Sequence, residues 1–232
     1  MSLHLICAGA AKGLVEAMRP QFEAATGTTI SATFGAVGAL REKFDAGSPC
    51  DVLVLTRAMQ DELAGARHVV ASTVRSLGRV PTGIAVRTGE TAPAIGDGAS
   101  LRVALLSASR LYFPDPQRAT AGIHFMKVLR RLEIDAEVAD RLSPHPSGAV
   151  AMQALADANG PGMIGCTQVT EILYTSGVTL VGVLPPGFDL ATDYAAGVTA
   201  RARDVALAAR FLSMLAAPDT RAMRERSGFL QE

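Results

Sequence analysis

Short apolar segments alternate with amphipathic segments of helix length along most of this chain. Near the start, the strand-like Leu3–Cys7 precedes Gly13–Ala25, where apolar residues recur at helical spacing. The same order repeats with the alternating, β-branched Thr28–Phe34 and with the apolar run Asp51–Leu55. A β-α-β-α-β order predicts a mostly parallel sheet flanked by helices, so the pattern indicates the α/β class.

A second series of the same kind begins at the strand-like Gly83–Arg87. The later strands are predicted at 111–113, 162–165, 178–184 and 194–200, and the later helices at 102–108, 123–132, 147–158 and 204–217. Two α/β halves with a C-terminal return predict two lobes with a ligand cleft between them. Lobe I comprises residues 1–81 and 197–232, and lobe II comprises residues 82–196. The crossing strands near Pro81–Gly83 and Asp193–Gly197 are the expected hinge.

The composition excludes several classes of protein. The chain has 232 residues, of which 49% are apolar, and its 22 basic residues balance its 22 acidic residues. This balance disfavours a dedicated nucleic-acid binder, and no run reaches the ~18 apolar residues of a membrane span. Three dispersed cysteines without zinc-ligand spacing predict no metal site and no cofactor.

Four loops place small residues where a predicted helix begins. They are Ala8–Gly13, Gly35–Ala39, Ala119–Gly122 and Pro146–Ala149. The first N–H groups of a helix lack internal partners, and together with the helix dipole they form a site for an anion. Neither a Walker loop nor a G-x-G-x-x-G motif is present, which argues against a nucleotide ligand. The sequence therefore predicts a small anionic ligand.

Several stretches, in order over nearly the whole chain, resemble the periplasmic molybdate-binding proteins. The most specific are "FDAGSPCDV" and "DPQRATAG", and "CAGAAKG", "GMIGCTQVTEIL" and "RSGF" agree with them. The resemblance implies a type II periplasmic binding-protein fold and a solute-binding subunit of an ABC importer. It also implies a membrane permease as partner and a periplasmic location after signal removal. A monomer is expected because a closing cleft needs its two lobes free, and the lack of a catalytic constellation predicts no enzymatic activity. Because the first residues lack the basic segment and long apolar region of a secretory signal, a cytoplasmic protein stays an alternative.

The side chains differ from this family at the expected ligand positions. Ala10, Ala36 and Val37 stand where molybdate binders usually carry Ser, and Cys166 stands where many carry Tyr. The ligand is therefore either an oxyanion held by backbone N–H groups or a small carboxylate. The candidate ligand-binding residues are Ala10, Ala11, Lys12, Gly35, Ala36, Val37, Thr120, Ala121, Gly122, Ser147, Gly148, Cys166, Thr167 and Gln168.

Some of these residues have a second interpretation. Lys12 is either a charge that faces the ligand or a solvated lysine of the first helical turn. A nucleophilic Cys166 would need a base, for which His124 and His145 are the candidates, but no catalytic pair is predicted. Glu171 is interpreted as a solvated or capping carboxylate. An alternative function is an intracellular effector-sensing domain of the same fold, although the chain contains no helix-turn-helix pattern.

Overall fold

The computed structural model describes residues 2–231, which divide into two compact units. The first unit contains residues up to Val80 and from Asp193 onward, and the second unit contains Pro81–Thr192. The chain therefore passes twice from one unit to the other, once in each direction.

The first stretch of the chain alternates strands and helices as the sequence predicts. Its elements are β1 (Ser2–Ala8), α1 (Lys12–Thr26), β2 (Thr29–Gly35), α2 (Val37–Asp45), β3 (Val52–Thr56) and α3 (Arg57–Gly65). A single 3-10 turn, Gly9–Ala11, joins β1 to α1. Leu14, Met18 and Phe22 form the buried face of α1, which accounts for the helical spacing of the apolar residues.

The middle stretch is similar in kind. Its elements are β4 (Arg75–Arg87), α4 (Gly98–Ser107), β5 (Arg110–Pro114), α5 (Thr120–Arg131), β6 (Leu142–His145), α6 (Gly148–Asp157), β7 (Met163–Gln168), α7 (Val169–Tyr174) and β8 (Val178–Val183). The final stretch contains β9 (Ala191–Val198), α8 (Val205–Ala216) and α9 (Arg221–Arg226).

The sheet of the first unit has the order β2-β1-β3-β9. The β1–β2 and β1–β3 pairs are parallel, and β9 pairs antiparallel with β3. One apolar core covers this sheet, and the C-terminal return contributes to it through Phe211 of α8. The Phe211 ring meets that of Phe22 edge-on at 4.9 Å between centroids. The return thus completes the first unit rather than the second.

In the second unit, β5 lies between β6 and β7 and runs parallel to both of them. The unit-2 part of β4 pairs antiparallel with β7 on one side and with β8 on the other. Separate apolar cores cover the two faces of this sheet. One is formed mainly with α4 and α5, and the other mainly with α6. Each fully buried Leu or Phe of these cores contributes roughly 1.5–3 kcal/mol of burial free energy.

The α/β fold class is confirmed, with mixed rather than uniformly parallel sheets. Several predicted boundaries were wrong. The strand predicted at 162–165 continues to Gln168, because Cys166, Thr167 and Gln168 pair with β4. The strand predicted from Gly83 begins at Arg75, where the internal Pro81 obscured the pattern. The short elements β6 and α7 were not predicted.

Candidate functional site

Two helices of the first unit begin at the same edge of its sheet without a side-chain cap. The ends of β1 and β2 are aligned, since Ala8 pairs with Gly35. The residues before α1 and α2 are Ala11 and Ala36, and neither side chain accepts a hydrogen bond from the helix that follows. The first-turn N–H groups of α2 therefore have no side-chain acceptor, whereas at α1 the N–H of Lys12 already donates to the Gly9 carbonyl oxygen of the preceding 3-10 turn.

The predicted site residues of this edge contribute backbone rather than side-chain chemistry. The Ala10, Ala11 and Val37 side chains belong to the apolar core of the unit. Ala36 is 7% exposed. A Cβ on Gly35 would lie at an ordinary 3.6 Å from the Leu40 side chain, so Gly35 is not required for steric reasons.

Lys12 places a positive charge at this edge. It is the first residue of α1, is half-buried, and its Nζ lies 5.7 Å from the centre of the Phe34 ring. Phe34 is the second-last residue of β2. A cation over an aromatic face is held by the ring quadrupole, so the ammonium group is kept near the helix starts.

In the second unit, β5, β6 and β7 also end at one edge, where α5, α6 and α7 begin. The turn before α5 is fixed by Asp115, whose Oδ1 accepts hydrogen bonds from the N–H groups of Gln117 (2.7 Å) and Arg118 (3.0 Å). Ala119, the residue before α5, provides no side-chain cap. The helix start at Thr120 and Ala121 thus resembles those of α1 and α2.

Gly122 is required where α5 begins. A Cβ at this position would collide with the backbone carbonyl oxygens of Pro114 and Asp115. The start of α5 therefore packs directly onto the backbone at the end of β5. This contact fixes the position of the Thr120–Ala121 amides relative to the sheet edge.

The start of α6 is already occupied by side chains of the chain itself. The Ser147 hydroxyl accepts a hydrogen bond from the N–H of Val150 at 3.4 Å. The Glu171 carboxylate accepts from the N–H groups of Gly148 and Ala149. A Cβ on Gly148 would collide with this carboxylate, so the glycine permits the approach. The helix start at which the sequence analysis predicts an external ligand therefore holds an internal carboxylate.

Glu171 is buried, being 6% exposed, and it is the capping carboxylate of the two interpretations that the sequence offers. The Thr167 hydroxyl donates a hydrogen bond to Glu171 Oε2 at 2.6 Å, and the N–H of Gln168 also donates to the carboxylate. Burial raises the pKa of Glu171 above its ordinary value, and these hydrogen bonds oppose the rise. The Thr167 hydroxyl therefore donates its hydrogen bond to Glu171 rather than to a ligand.

Cys166 lies within β7, not at its end as predicted, and its side chain is 1% exposed in the core shared with α5. Burial raises the pKa of the thiol. His124 Nε2 is hydrogen-bonded to the Phe188 carbonyl oxygen at 2.7 Å, and His145 Nε2 to Ser143 Oγ at 3.2 Å. Because both histidines are hydrogen-bonded to other groups, these contacts do not place either of them as a base for Cys166.

A polar cluster at the end of β7 contains the predicted site residue Gln168 together with Thr82 and Thr192, which the sequence did not indicate. Thr82 of β4 is directly opposite Gln168 in the antiparallel ladder. Gln168 Nε2 donates to Thr192 Oγ1 at 3.4 Å, whereas Gln168 Oε1 and Thr82 Oγ1 are buried without a hydrogen-bond partner. The signal was hidden because the predicted strands began after Thr82 and ended before Gln168.

Neither a metal-ligand cluster nor a membrane-spanning helix is present in the described part of the chain. Among residues 2–231, no group of three or more His, Cys, Asp or Glu side chains is arranged to hold a metal ion. Over the same residues, no helix combines the length and the apolar composition needed to cross a membrane.

The sequence profile of a family described as bacterial extracellular solute-binding protein matches residues 3–230. The chain belongs to this family. Its members are described as extracellular, which agrees with the resemblance to periplasmic binding proteins.

Three proteins illustrate what this family member is similar to. An aconitate isomerase of a Pseudomonas species is 24% identical over 236 residues, which cover 98% of this chain and 87% of the relative. The periplasmic molybdate-binding protein of Azotobacter vinelandii has a TM-score of 0.80 at 18% identity, with 99% of each chain covered. The sulfate-binding protein of Mycobacterium tuberculosis has a TM-score of 0.75 at 17% identity, covering 99% of this chain and 86% of the other.

The type II periplasmic binding-protein fold and the likeness to molybdate-binding proteins are thereby confirmed. At these identities the solved structures show the fold and not the ligand. The chain is a solute-binding family member with the fold of anion-binding proteins.

Proposed function

We propose that this protein binds a small carboxylate and delivers it to the permease of an ABC importer. The observation that carries the proposal is the set of helix starts without a side-chain cap at α1, α2 and α5, each preceded by an alanine. Lys12 adds a positive charge near two of them. Backbone N–H groups at a helix start bind carboxylates as readily as other anions.

The carboxylate is favoured over a tetrahedral oxyanion by what this site lacks. Ala10 and Ala36 replace serines that molybdate binders usually carry, and a hydrogen bond to a charged group contributes roughly 1.5–3 kcal/mol. The start of α6 is filled by the carboxylate of Glu171, so it offers no free N–H pair to an oxyanion. The similarity to an aconitate isomerase, whose substrate is a carboxylate, supports the same class.

Transport and location are proposed from the family. Solute-binding proteins with this fold act outside the cytoplasm and donate their ligand to a membrane permease, for which a monomer suffices. The ligand is predicted from the sequence to lie between the two units, and that position stays a prediction.

The experiment is a thermal-unfolding titration with molybdate, tungstate, sulfate, phosphate, propionate, succinate, tricarballylate, citrate and cis-aconitate. A ligand at about 100 times its dissociation constant raises the unfolding free energy by about 2.7 kcal/mol. We expect carboxylates to raise the transition temperature and tetrahedral oxyanions to leave it unchanged. A response to molybdate and tungstate alone would contradict the proposal.

A matched pair of variants tests the role of Lys12. Replacing Lys12 by Gln should weaken carboxylate binding about fivefold, since a partly exposed charge contributes roughly 1 kcal/mol. Lys43→Gln is the control, because Lys43 is exposed in the last turn of α2, away from the helix starts. Equal affinities of the two variants, measured by calorimetry, would remove Lys12 from the site.

A second candidate function is isomerisation of an unsaturated carboxylate. It is favoured by the aconitate isomerase similarity over 98% of the chain. The test is incubation with cis-aconitate, followed by proton NMR of the vinyl hydrogen. Formation of the trans isomer above the rate without protein would support an enzyme, and binding without conversion would support transport alone.

A further inference from the structure

We infer that the second unit contains a subsite for a hydroxyl group, formed by Thr82 and Gln168, so that the ligand is a hydroxycarboxylate. This inference rests on the proposed function, because it describes the same carboxylate ligand in more detail. Its starting point is two buried polar atoms, Thr82 Oγ1 and Gln168 Oε1, that have no hydrogen-bond partner.

Buried polar groups are almost always paired, and among the described residues the other buried side-chain atoms without a partner are Gln60 Oε1 and Thr170 Oγ1; Thr82 and Gln168 are the pair that faces across two strands. Thr82 is 1% exposed and Gln168 is 3% exposed, so bulk water does not satisfy them. An unsatisfied buried polar group costs roughly 1–3 kcal/mol. Two such groups on facing strands are expected where a structure is built to receive a partner.

The position of the pair follows from the strand ladder. Thr82 and Gln168 are partners in the β4–β7 register, so their side chains lie on the same face of the sheet. Ile84 and Cys166 are the next partners on that face, and both lie in the core that contains Phe125 of α5. The polar pair therefore continues the face covered by α5, beyond the end of its apolar core.

The same edge provides the partner for the carboxylate group. Gln168 is the last residue of β7, and α5 starts at the edge where the parallel strands β5 and β7 end. The start of α5 has no side-chain cap. A helix start for the carboxylate and a polar pair for a second group thus share one face and one edge of the second unit.

The chemistry of the pair selects an alcohol. Gln168 Nε2 is engaged with Thr192 Oγ1, which leaves Gln168 Oε1 as an acceptor that needs a donor. The Thr82 hydroxyl is able to donate. An alcohol group donates one hydrogen bond and accepts another, so it satisfies both atoms at once. Fully ionised sulfate, molybdate or succinate has no hydrogen to donate to Gln168.

The experiment compares acids that differ by one hydroxyl group, by calorimetric titration of the whole protein. The pairs are lactate and propionate, malate and succinate, and citrate and tricarballylate. In at least one pair, we expect the hydroxy acid to bind at least about tenfold more tightly, which corresponds to about 1.4 kcal/mol. Equal affinities within every pair would overturn the inference while leaving the proposed function intact.

Two variants assign the preference to this site. Thr82→Val keeps the side-chain shape and removes an unpartnered hydroxyl, and Gln168→Leu removes the acceptor. Each should reduce the preference to less than about twofold while the deoxy acid still binds. Thr88→Val is the matched control, since Thr88 is exposed beyond the other end of β4 and should leave the preference unchanged.

The remaining outcomes are decisive as well. A hydroxyl preference that survives in both Thr82→Val and Gln168→Leu would overturn the inference, because the hydroxyl group would then be recognised elsewhere. If none of the six acids binds the wild-type protein, the proposed carboxylate function fails and the subsite fails with it.

Discussion

In the first unit, α1 and α2 begin without a side-chain cap, whereas in the second unit α6 begins against Ser147 and Glu171. The two units otherwise share one construction, in which three parallel strands end at a sheet edge and each leads into a helix. Helix starts with similar sequences are therefore used differently. Those of α1, α2 and α5 have no side-chain cap, whereas that of α6 holds side chains of the protein itself.

The difference teaches that small residues before a helix do not by themselves indicate a ligand site. In "PSGA", Gly148 is small because a buried carboxylate of the same chain approaches its backbone. In "GAVGA", by contrast, the small residue Ala36 precedes a helix that no side chain caps. The deciding residue for α6, Glu171, lies more than twenty positions further along the chain.

The largest effect is expected from removing the internal carboxylate. Glu171→Ala should lower the free energy of unfolding by roughly 3 kcal/mol, because the Thr167 hydroxyl and several buried N–H groups lose their acceptor. Urea denaturation measures the change. Glu225→Ala is the control, since Glu225 is exposed in α9 and its loss should change stability by less than about 0.5 kcal/mol.

The same variant tests whether the start of α6 has the properties of an anion site. Formate or acetate should stabilise Glu171→Ala more than the wild-type protein, because the vacated helix start accepts a carboxylate. Equal stabilisation of the two proteins would show that α6 differs from the other helices by more than its occupant.

A smaller effect is expected from replacing one glycine of each unit by alanine. Gly122 in the second unit permits close packing against backbone, whereas Gly35 in the first unit does not have that role. Gly122→Ala should cost about 2 kcal/mol, because its Cβ would strike the carbonyl oxygens of Pro114 and Asp115. Gly35→Ala, at the end of β2, should change stability by less than about 0.5 kcal/mol, because its Cβ would meet only the Leu40 side chain at contact distance. Equal urea midpoints for the two variants would contradict this contrast.

Much of the fold was predictable from local patterns. The alternation of Leu3–Cys7 with the periodic Gly13–Ala25 gave the first strand and helix nearly to their ends. Two strands that contain a proline were not predicted in full. Pro81 lies inside β4, and Pro144 lies inside β6, which is only four residues long. These segments are strands because they pair with strands that are distant in the sequence. Local sequence patterns do not contain information about that pairing.

The candidate site was less predictable, because it depends on contacts between distant residues. The sequence analysis found the uncapped helix starts from their small residues. It had no means of pairing Glu171 with Gly148, or of placing Thr82 opposite Gln168. The Thr82–Gln168 pair follows from strand register, which is set by the whole sheet, and the Glu171–Gly148 contact follows from the packing of α7 against α6.

A still smaller effect is expected from adding a hydroxyl where the helix starts are uncapped. Ala36→Ser should raise the unfolding free energy by about 0.5–1 kcal/mol, because serine at this position caps the first turn of α2. Ala119→Ser makes the matching change before α5 in the second unit. Urea denaturation and titration with molybdate check the two variants, and we expect oxyanion affinity to rise with Ala36→Ser. Unchanged stability in both would show that these starts already have acceptors.

The smallest effect concerns the pH dependence of the second unit. Burial, together with the nearby charge of Arg110, lowers the pKa of His145 below its ordinary value. The folded protein therefore binds this proton less readily than the unfolded chain does. The unfolding free energy should fall as the pH drops from about 7.5 through the ordinary histidine pKa of about 6.5 towards the lowered value.

His145→Phe tests this dependence, because a phenyl ring retains the stacking on Tyr112, at 5.8 Å between ring centroids, and does not titrate. The stability difference between the variant and the wild-type protein should shift in favour of the variant at pH 5.5 relative to pH 8. Ser143→Ala removes the hydrogen bond to His145 without removing the titration, so it should keep the wild-type slope. A wild-type slope in His145→Phe would assign the pH dependence to other groups. The two sheet edges would then differ in the carboxylate that occupies the start of α6, but not in how their stability responds to pH.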